Sequence, residues 1–135
     1  MIIDKELEFS DAQAITEDAA STNFLDLQKA GSWAEKDPFL VVKVNTTFDS
    51  AADGGTLTLK IETDDDSEFG TATAIYTSAA LAQAALVAGA VLLKMRLSDI
   101  GDLKRYLRIY YDNGTEVFTA GKIDAFIVWN IDHGF

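Results

Sequence analysis

Alternation with a period of two runs through this chain, and it restricts the fold more than any other feature. In Phe39–Phe48, the side chains of Leu40, Val42, Val44, Thr46 and Phe48 fall on one side and Lys43 and Asn45 on the other. In Thr56–Thr63 the inward set is Leu57, Leu59 and Ile61, with Thr58, Lys60 and Glu62 outward. Leu93, Met95 and Leu97 oppose Lys94 and Arg96; Leu107, Ile109 and Tyr111 oppose Tyr106, Arg108 and Tyr110. The last run sets Ile123, Ala125, Ile127, Trp129 and Ile131 on one side, and Ile3, Leu7 and Phe9 open the chain in the same way. A period of two with one polar side describes half-buried antiparallel strands. Shorter strands are expected at Ala14–Thr16, Asn23–Leu27 and Ala74–Thr77.

Turn residues separate these runs at intervals of roughly ten residues, the spacing of a β-sandwich or jelly roll. Asn113-Gly114 is expected to close a hairpin between Tyr106–Tyr111 and a strand starting near Glu116, because both residues accept positive φ. Helix is limited to Ala80–Ala88, where alanine favours it and Gly89 stops it. The expected class is all-β: an antiparallel β-sandwich, jelly-roll-like, with at most one or two short helical turns, formed by residues 1–135 as one domain.

Charge narrows the partners. The chain is −11 overall; residues 1–68 hold 16 acids and 5 bases, residues 69–135 hold 6 of each. Binding to a phosphate backbone needs clustered Lys and Arg, so nucleic acid is not an expected partner. Nor is a membrane: the longest apolar stretch, Ala79 to Leu93, is 15 residues, nearly half of them alanine, and broken by Gln83 and Gly89, where a spanning helix needs about 20. Met1–Glu6 has no basic segment followed by a long apolar one, so no targeting signal is read there. Without cysteine there are no disulfides, thiolate metal sites or cysteine nucleophiles.

Chemistry-bearing clusters are few. Asp64-Asp65-Asp66-Ser67-Glu68 suggests a calcium loop, but the EF-hand spacing would need glycine at Phe69 and an acid at Ile75, so a solvated acidic turn is the better reading. His133 is the sole histidine, three residues from a terminus. Acid pairs suited to glycoside hydrolysis sit on no distinctive motif, and no phosphate-binding loop or zinc-protease motif occurs. No catalytic, metal or cofactor residue is assigned, and no cofactor is expected.

Surface contacts are better supported. Lys94, Arg96, Lys104, Arg105 and Arg108 fall within fifteen residues; they would form a basic docking patch if their strands were neighbours, and the better reading is an ordinary wet sheet face whose bases pair with nearby acids. Phe126 and Val128 stand on the outward side of the last run, between Asp124 and Asn130, where water is expected, so they mark either a contact surface or a strand covered by a loop or buried on both faces. Tyr106, Tyr110 and Trp33 are candidate aromatic anchors. The candidate interface set is therefore Phe126, Val128, Tyr106, Tyr110, Arg96, Arg108 and Trp33.

Several segments, in order, resemble a known family. Phe9-Ser10-Asp11-Ala12-Gln13-Ala14-Ile15-Thr16 and Ala20-Ser21-Thr22-Asn23 open the series, followed by Thr63-Asp64-Asp65-Asp66, Tyr76-Thr77-Ser78-Ala79-Ala80-Leu81 and Leu86-Val87-Ala88-Gly89. Lys104-Arg105-Tyr106-Leu107-Arg108-Ile109-Tyr110-Tyr111 and Phe118-Thr119-Ala120-Gly121-Lys122 complete it. Each piece alone is ordinary strand and turn chemistry; the ordered set resembles the capsid cement (decoration) proteins of tailed bacteriophages. The alanine-rich Leu81–Leu86 stretch departs from that pattern. The resemblance implies a jelly-roll-like sandwich with no active site, which self-associates (a dimer is favoured) and ties neighbouring major capsid subunits together from outside. It implies synthesis in the host cytoplasm and residence on the virion exterior. The alternative is a β-sandwich binding module for carbohydrate or a host surface, with Trp33, Tyr106 and Tyr110 as stacking groups.

Overall fold

A computed structural model describes residues 8–26, 38–96 and 103–128. Among the described residues ten strands follow in order: β1 (Glu8–Ala14), β2 (Ala19–Ala20), β3 (Leu25–Asp26), β4 (Phe39–Ser50), β5 (Thr56–Asp64), β6 (Thr73–Thr77), β7 (Leu81–Ala82), β8 (Val91–Arg96), β9 (Tyr106–Asn113) and β10 (Phe118–Val128). The expected helix shrinks to one 3-10 turn, Gln83–Ala85. Among the described residues no helix is long and apolar enough to cross a membrane. Of the strand expected at Ala14–Thr16 only Ala14 is strand, as the end of β1, and the described part of Asn23–Leu27 contributes β3, Leu27 lying outside the described residues.

All pairings are antiparallel. One sheet runs β1-β10-β4-β8; the other runs β2-β9-β5-β6, with β3 also on β9 and β7 also on β5. Taking β2 with β3 and β6 with β7 as single broken strands, sequence order in the two sheets becomes 1-8-3-6 and 2-7-4-5, the double Greek key of a jelly roll. The alternating apolar sets meet between the sheets. Leu40, Val42, Val44, Phe48, Ile123, Ala125 and Ile127 face Leu57, Leu59, Ile61, Leu107, Ile109 and Tyr111, each fully buried aliphatic side chain contributing about 1.5–3 kcal/mol.

Three expectations need correction. Asp112-Asn113-Gly114 does not close a hairpin, because β9 pairs with β5 while β10 pairs with β4 and β1, so the segment carries the chain from one sheet to the other. Positive φ falls on Ala12, Asp53, Phe69, Gly89 and Gly121, not on Asn113 or Gly114. The crossing is held from outside the turn: Asn113 N–H donates to Asp18 Oδ1 (2.7 Å), Gly114 N–H donates to Thr56 O (3.0 Å), and Glu116 accepts from the Ala52 and Gly54 N–H groups (both 2.8 Å).

Second, the five bases do not form one patch. Lys94 and Arg96 lie on β8 in one sheet, whereas Arg105 and Arg108 belong to the β9 side of the other, and the outer faces of a sandwich point apart. Third, Phe126 and Val128 are not wet; each is 3% exposed. Across the β10–β4 pairing Phe126 lies opposite Val41, and Val128 lies opposite Phe39. These four form a small second cluster, so the central strands of this sheet are buried on both faces and lose simple alternation.

Candidate interaction surface

The outer face of the β2-β9-β5-β6 sheet gathers most of the remaining candidates. Alternation along β9 puts Tyr106, Arg108 and Tyr110 outward, all half-buried, and the register sets Glu62 opposite Arg108 and Lys60 opposite Tyr110. Arg108 Nε donates to Glu62 Oε1 at 2.7 Å, while its guanidinium stands 4.4 Å over the Phe69 ring and 5.8 Å from that of Tyr110. Arg105 forks onto Asp26 (2.8 and 3.0 Å) and lies 5.0 Å over the Tyr106 ring. The Asp26 hydrogen bond and charge hold the Arg105 proton more firmly than usual. Lys60 and Asp112 pair at 3.2 Å.

Aromatic edges lock the same face. Phe24 meets Phe69 at 5.9 Å and Tyr106 at 5.5 Å, both edge-to-face, contacts of about 0.5–1.5 kcal/mol each. The arginines are thus paired within the sheet; the exposed Arg105–Asp26 pair contributes less than about 1 kcal/mol, and Arg108–Glu62 is the more buried of the two. The result is a charge-balanced, pre-ordered face from which Phe24, 45% exposed, projects as an apolar point. One face of Tyr106 carries the Arg105 guanidinium, which leaves less open ring for stacking a sugar.

Arg96 lies on the other side of the sandwich, 5.3 Å over the Phe39 ring, beside the buried Val41–Phe126–Val128 cluster. The structure therefore joins Tyr106, Tyr110 and Arg108, separates Arg96 from them, and places Phe126 and Val128 in the interior. Trp33 and His133 lie outside the described residues. Phe24, Phe69, Asp26 and Glu62 are additions to the face. The available sequence signal was Phe24, which breaks step with Leu25 in the short strand expected there.

The acidic turn is explained by its own backbone. Asp64 is buried, and its carboxylate accepts from the N–H groups of Asp65 (2.7 Å), Asp66 (3.3 Å) and Thr71 (2.8 Å) and from the Thr71 hydroxyl. Burial alone would push its pKa up, but these donors together hold it below the ordinary carboxylate range. Glu116 is also lowered, first by the Gly54 N–H. Among the described residues no three His, Cys, Asp or Glu side chains group around a common metal position. Between the sheets, the Tyr111 hydroxyl bonds to Ser10 Oγ (2.7 Å), which donates to Gln13 Oε1 (2.6 Å), and Gln13 Nε2 donates to Ala20 O (2.9 Å). That chain of bonds ties β1 of one sheet to β9 and β2 of the other.

A family model named Bbp16 matches residues 9–127, from β1 nearly to the end of β10. The chain belongs to the Bbp16 family. The match takes in both sheets and every turn between them, so membership of Bbp16 concerns the whole jelly roll rather than a borrowed motif. A search of the curated proteins returned no match.

Proposed function

We propose that the protein is a structural component of a bacteriophage virion, which binds the outer surface of the assembled capsid and stabilises it by bridging major capsid subunits. One observation carries the reading. The ordered segments that resemble capsid cement proteins, from Phe9 to Lys122, fall inside the stretch matched by Bbp16 and coincide with the strands and turns of one jelly roll. A charge of −11 suits an exterior position, since it keeps an exposed shell soluble and away from packaged nucleic acid. The locked β9 face suits docking, because side chains that are already ordered lose little entropy on binding.

The mechanism is avidity. Contacts of a few kcal/mol from linked copies to adjacent capsid subunits multiply through effective concentration, so single subunits bind weakly and the lattice strongly. The protein partners are a second copy of the chain and the major capsid protein; no catalytic step, cofactor, nucleic acid or membrane enters. With Phe126 and Val128 interior, docking is assigned to the β9 face, with charge steering from Arg108; Arg96 stands on the opposite face. Charge reversal at Arg108 then slows association in a salt-dependent way.

The test compares heat and osmotic rupture of matched particles with and without the protein, alongside its uptake by expanded shells. A raised rupture threshold is expected. Equal thresholds, or no uptake, would remove the capsid reading.

A further inference from the structure

Asn113 ends β9 on its inward side, 8% exposed and in line with Leu107, Ile109 and Tyr111. Its backbone N–H has a partner in Asp18, but among the described residues neither its Oδ1 nor its Nδ2 has one. Burying an amide in this way costs stability, and Asn113 is not at the positive φ that favours asparagine. Packing and backbone geometry give no reason for this residue; its reactivity does. Of the four asparagines Asn113 alone precedes a glycine, the others preceding Phe24, Thr46 and Ile131. A glycine nitrogen has no neighbouring Cβ in its way, so it reaches the preceding side-chain amide most easily. The fold restricts position 114 to glycine as well, since a Cβ there would run into the Thr56 hydroxyl.

Backbone ties keep the two groups apart. Closing a ring between them needs a ψ far from the extended value of a strand, and Asn113 is the last residue of β9, opposite Leu57 on β5. The Gly114 N–H donates to Thr56 O (3.0 Å), which occupies the nitrogen that would attack. Glu116 then pins the crossing by accepting from the Ala52 and Gly54 N–H groups (both 2.8 Å). Once these ties part, the Asn113 amide has no hydrogen bond of its own to restrain it.

We propose that Asn113-Gly114 is a self-modification site latched by the crossing between the sheets, closed in the native fold and used when the crossing opens. The deprotonated Gly114 nitrogen attacks Asn113 Cγ. The N–Cγ bond forms, the Cγ–Nδ2 bond breaks, and Nδ2 leaves as ammonia, taking from solvent the proton that Gly114 gave up. Water then opens the succinimide ring. Breaking the N–Cγ bond leaves aspartate at position 113; breaking the bond from the Gly114 nitrogen to the main-chain carbonyl carbon leaves isoaspartate, with the backbone rerouted through Cγ. Either product puts a carboxylate where the native chain buries a neutral amide, close to the Asp18 carboxylate that holds the backbone N–H. Isoaspartate also lengthens the main chain, which carries the Gly114 N–H off Thr56 O. The crossing opens reversibly until the ring forms, and afterwards it cannot reclose. The inference is independent of the capsid reading.

Timed incubation of the full chain in mildly alkaline buffer, folded and in urea, tests it by peptide mapping with mass spectrometry. In urea Asn113 is expected to convert faster than the other asparagines, and the native fold to slow it roughly 100-fold, a ratio set by how rarely the crossing opens. Glu116→Ala removes one tie and is expected to speed native conversion roughly tenfold. Ile127→Val, which loosens the core on β10 instead, is expected to leave the rate within about twofold. Should Glu116→Ala fail to fold, Asp18→Ala, which releases the Asn113 N–H, is expected to give the same acceleration. The aged chain, separated by its added charge, is expected to melt earlier than the fresh one and not to recover on refolding, whereas Asn113→Gln incubated equally long melts as at the start. Four results would overturn the inference: equal rates folded and in urea, no preference for Asn113 in urea, equal acceleration by Glu116→Ala and Ile127→Val, or an aged chain that melts with the fresh one.

Discussion

Gly121→Ala probes the point where β10 passes beneath Phe48. Here the β10–β4 register jumps around Ala120, Lys122 and Ile123, and Gly121 sits at φ 138° with its carbonyl accepting from Ile15 N–H at 3.1 Å. A Cβ built on Gly121 would overlap three ring atoms of Phe48, all inside the 3.0 Å that such contacts essentially never breach. Phe48 cannot retreat freely, because its ring is 2% exposed and meets Phe118 edge-on at 4.7 Å. Two costs add: about 1–3 kcal/mol for an L-residue at that φ and about 1–3 kcal/mol for overpacking. A loss of about 4 kcal/mol is expected, within a total stability of about 5–15 kcal/mol. It reads as a fall of about 2 M in the urea midpoint, at a slope of about 2 kcal/mol per M. Phe48→Leu separates the terms, since it relieves the overlap but not the backbone strain. The double variant is expected to lose about 1–2 kcal/mol less than the sum of the singles. A Gly121→Ala loss below about 1 kcal/mol, or strict additivity, would refute the account.

Phe126→Asp is expected to abolish the β circular dichroism signal, because an unpaired carboxylate among Val41, Val128 and Phe39 costs several kcal/mol; Phe126→Leu keeps the fold, and a wild-type melting point for the aspartate variant would contradict the burial. Tyr111→Phe costs about 1 kcal/mol at neutral pH, since Ser10 keeps Gln13 as a partner. Burial chiefly, offset by the Ser10 bond and reinforced by the Asp124 charge, raises the Tyr111 pKa. The unfolded chain therefore ionises first, near about pH 10, and native stability falls as pH rises above that value. The gap between wild type and Tyr111→Phe should then narrow between denaturation midpoints taken at about pH 8 and pH 11; a constant gap would count against the buried phenol.

How far the sequence disclosed this fold depended on whether a strand kept one wet face. β5 and β9 did, and their inward sets Leu57-Leu59-Ile61 and Leu107-Ile109-Tyr111 were legible at once. β10 did not. Its outward Phe126 and Val128 satisfy two readings, exposed interface or second core, and only the strand order that places Val41 and Phe39 beside them decides. Asn113-Gly114 misled for a related reason: local turn chemistry says that a chain can reverse, not which sheet it enters next. The basic cluster failed because residues close in sequence across a jelly-roll connection land on opposite faces. Phe24 and Phe69 escaped notice because Phe24 meets Tyr106 only after β3 and β9 pair, and Phe69 joins the face through Phe24.

The pairing of β1 with β10 also decides how the domain bears load. Glu8 lies beside Phe126, so the first and last of the described strands run in opposite directions with Glu8 and Val128 at the same end of the sandwich. Tension applied through those two strand ends opens their ladder like a zip, straining one rung at a time. Tension applied across the faces meets the whole β10–β4 ladder, the interlocked core and the Ser10–Tyr111 tie together. Such a sandwich yields readily when pulled apart at Glu8 and Val128 and resists when squeezed or sheared through its sides. A brace fixed by its faces to a swelling shell would be loaded in the strong direction.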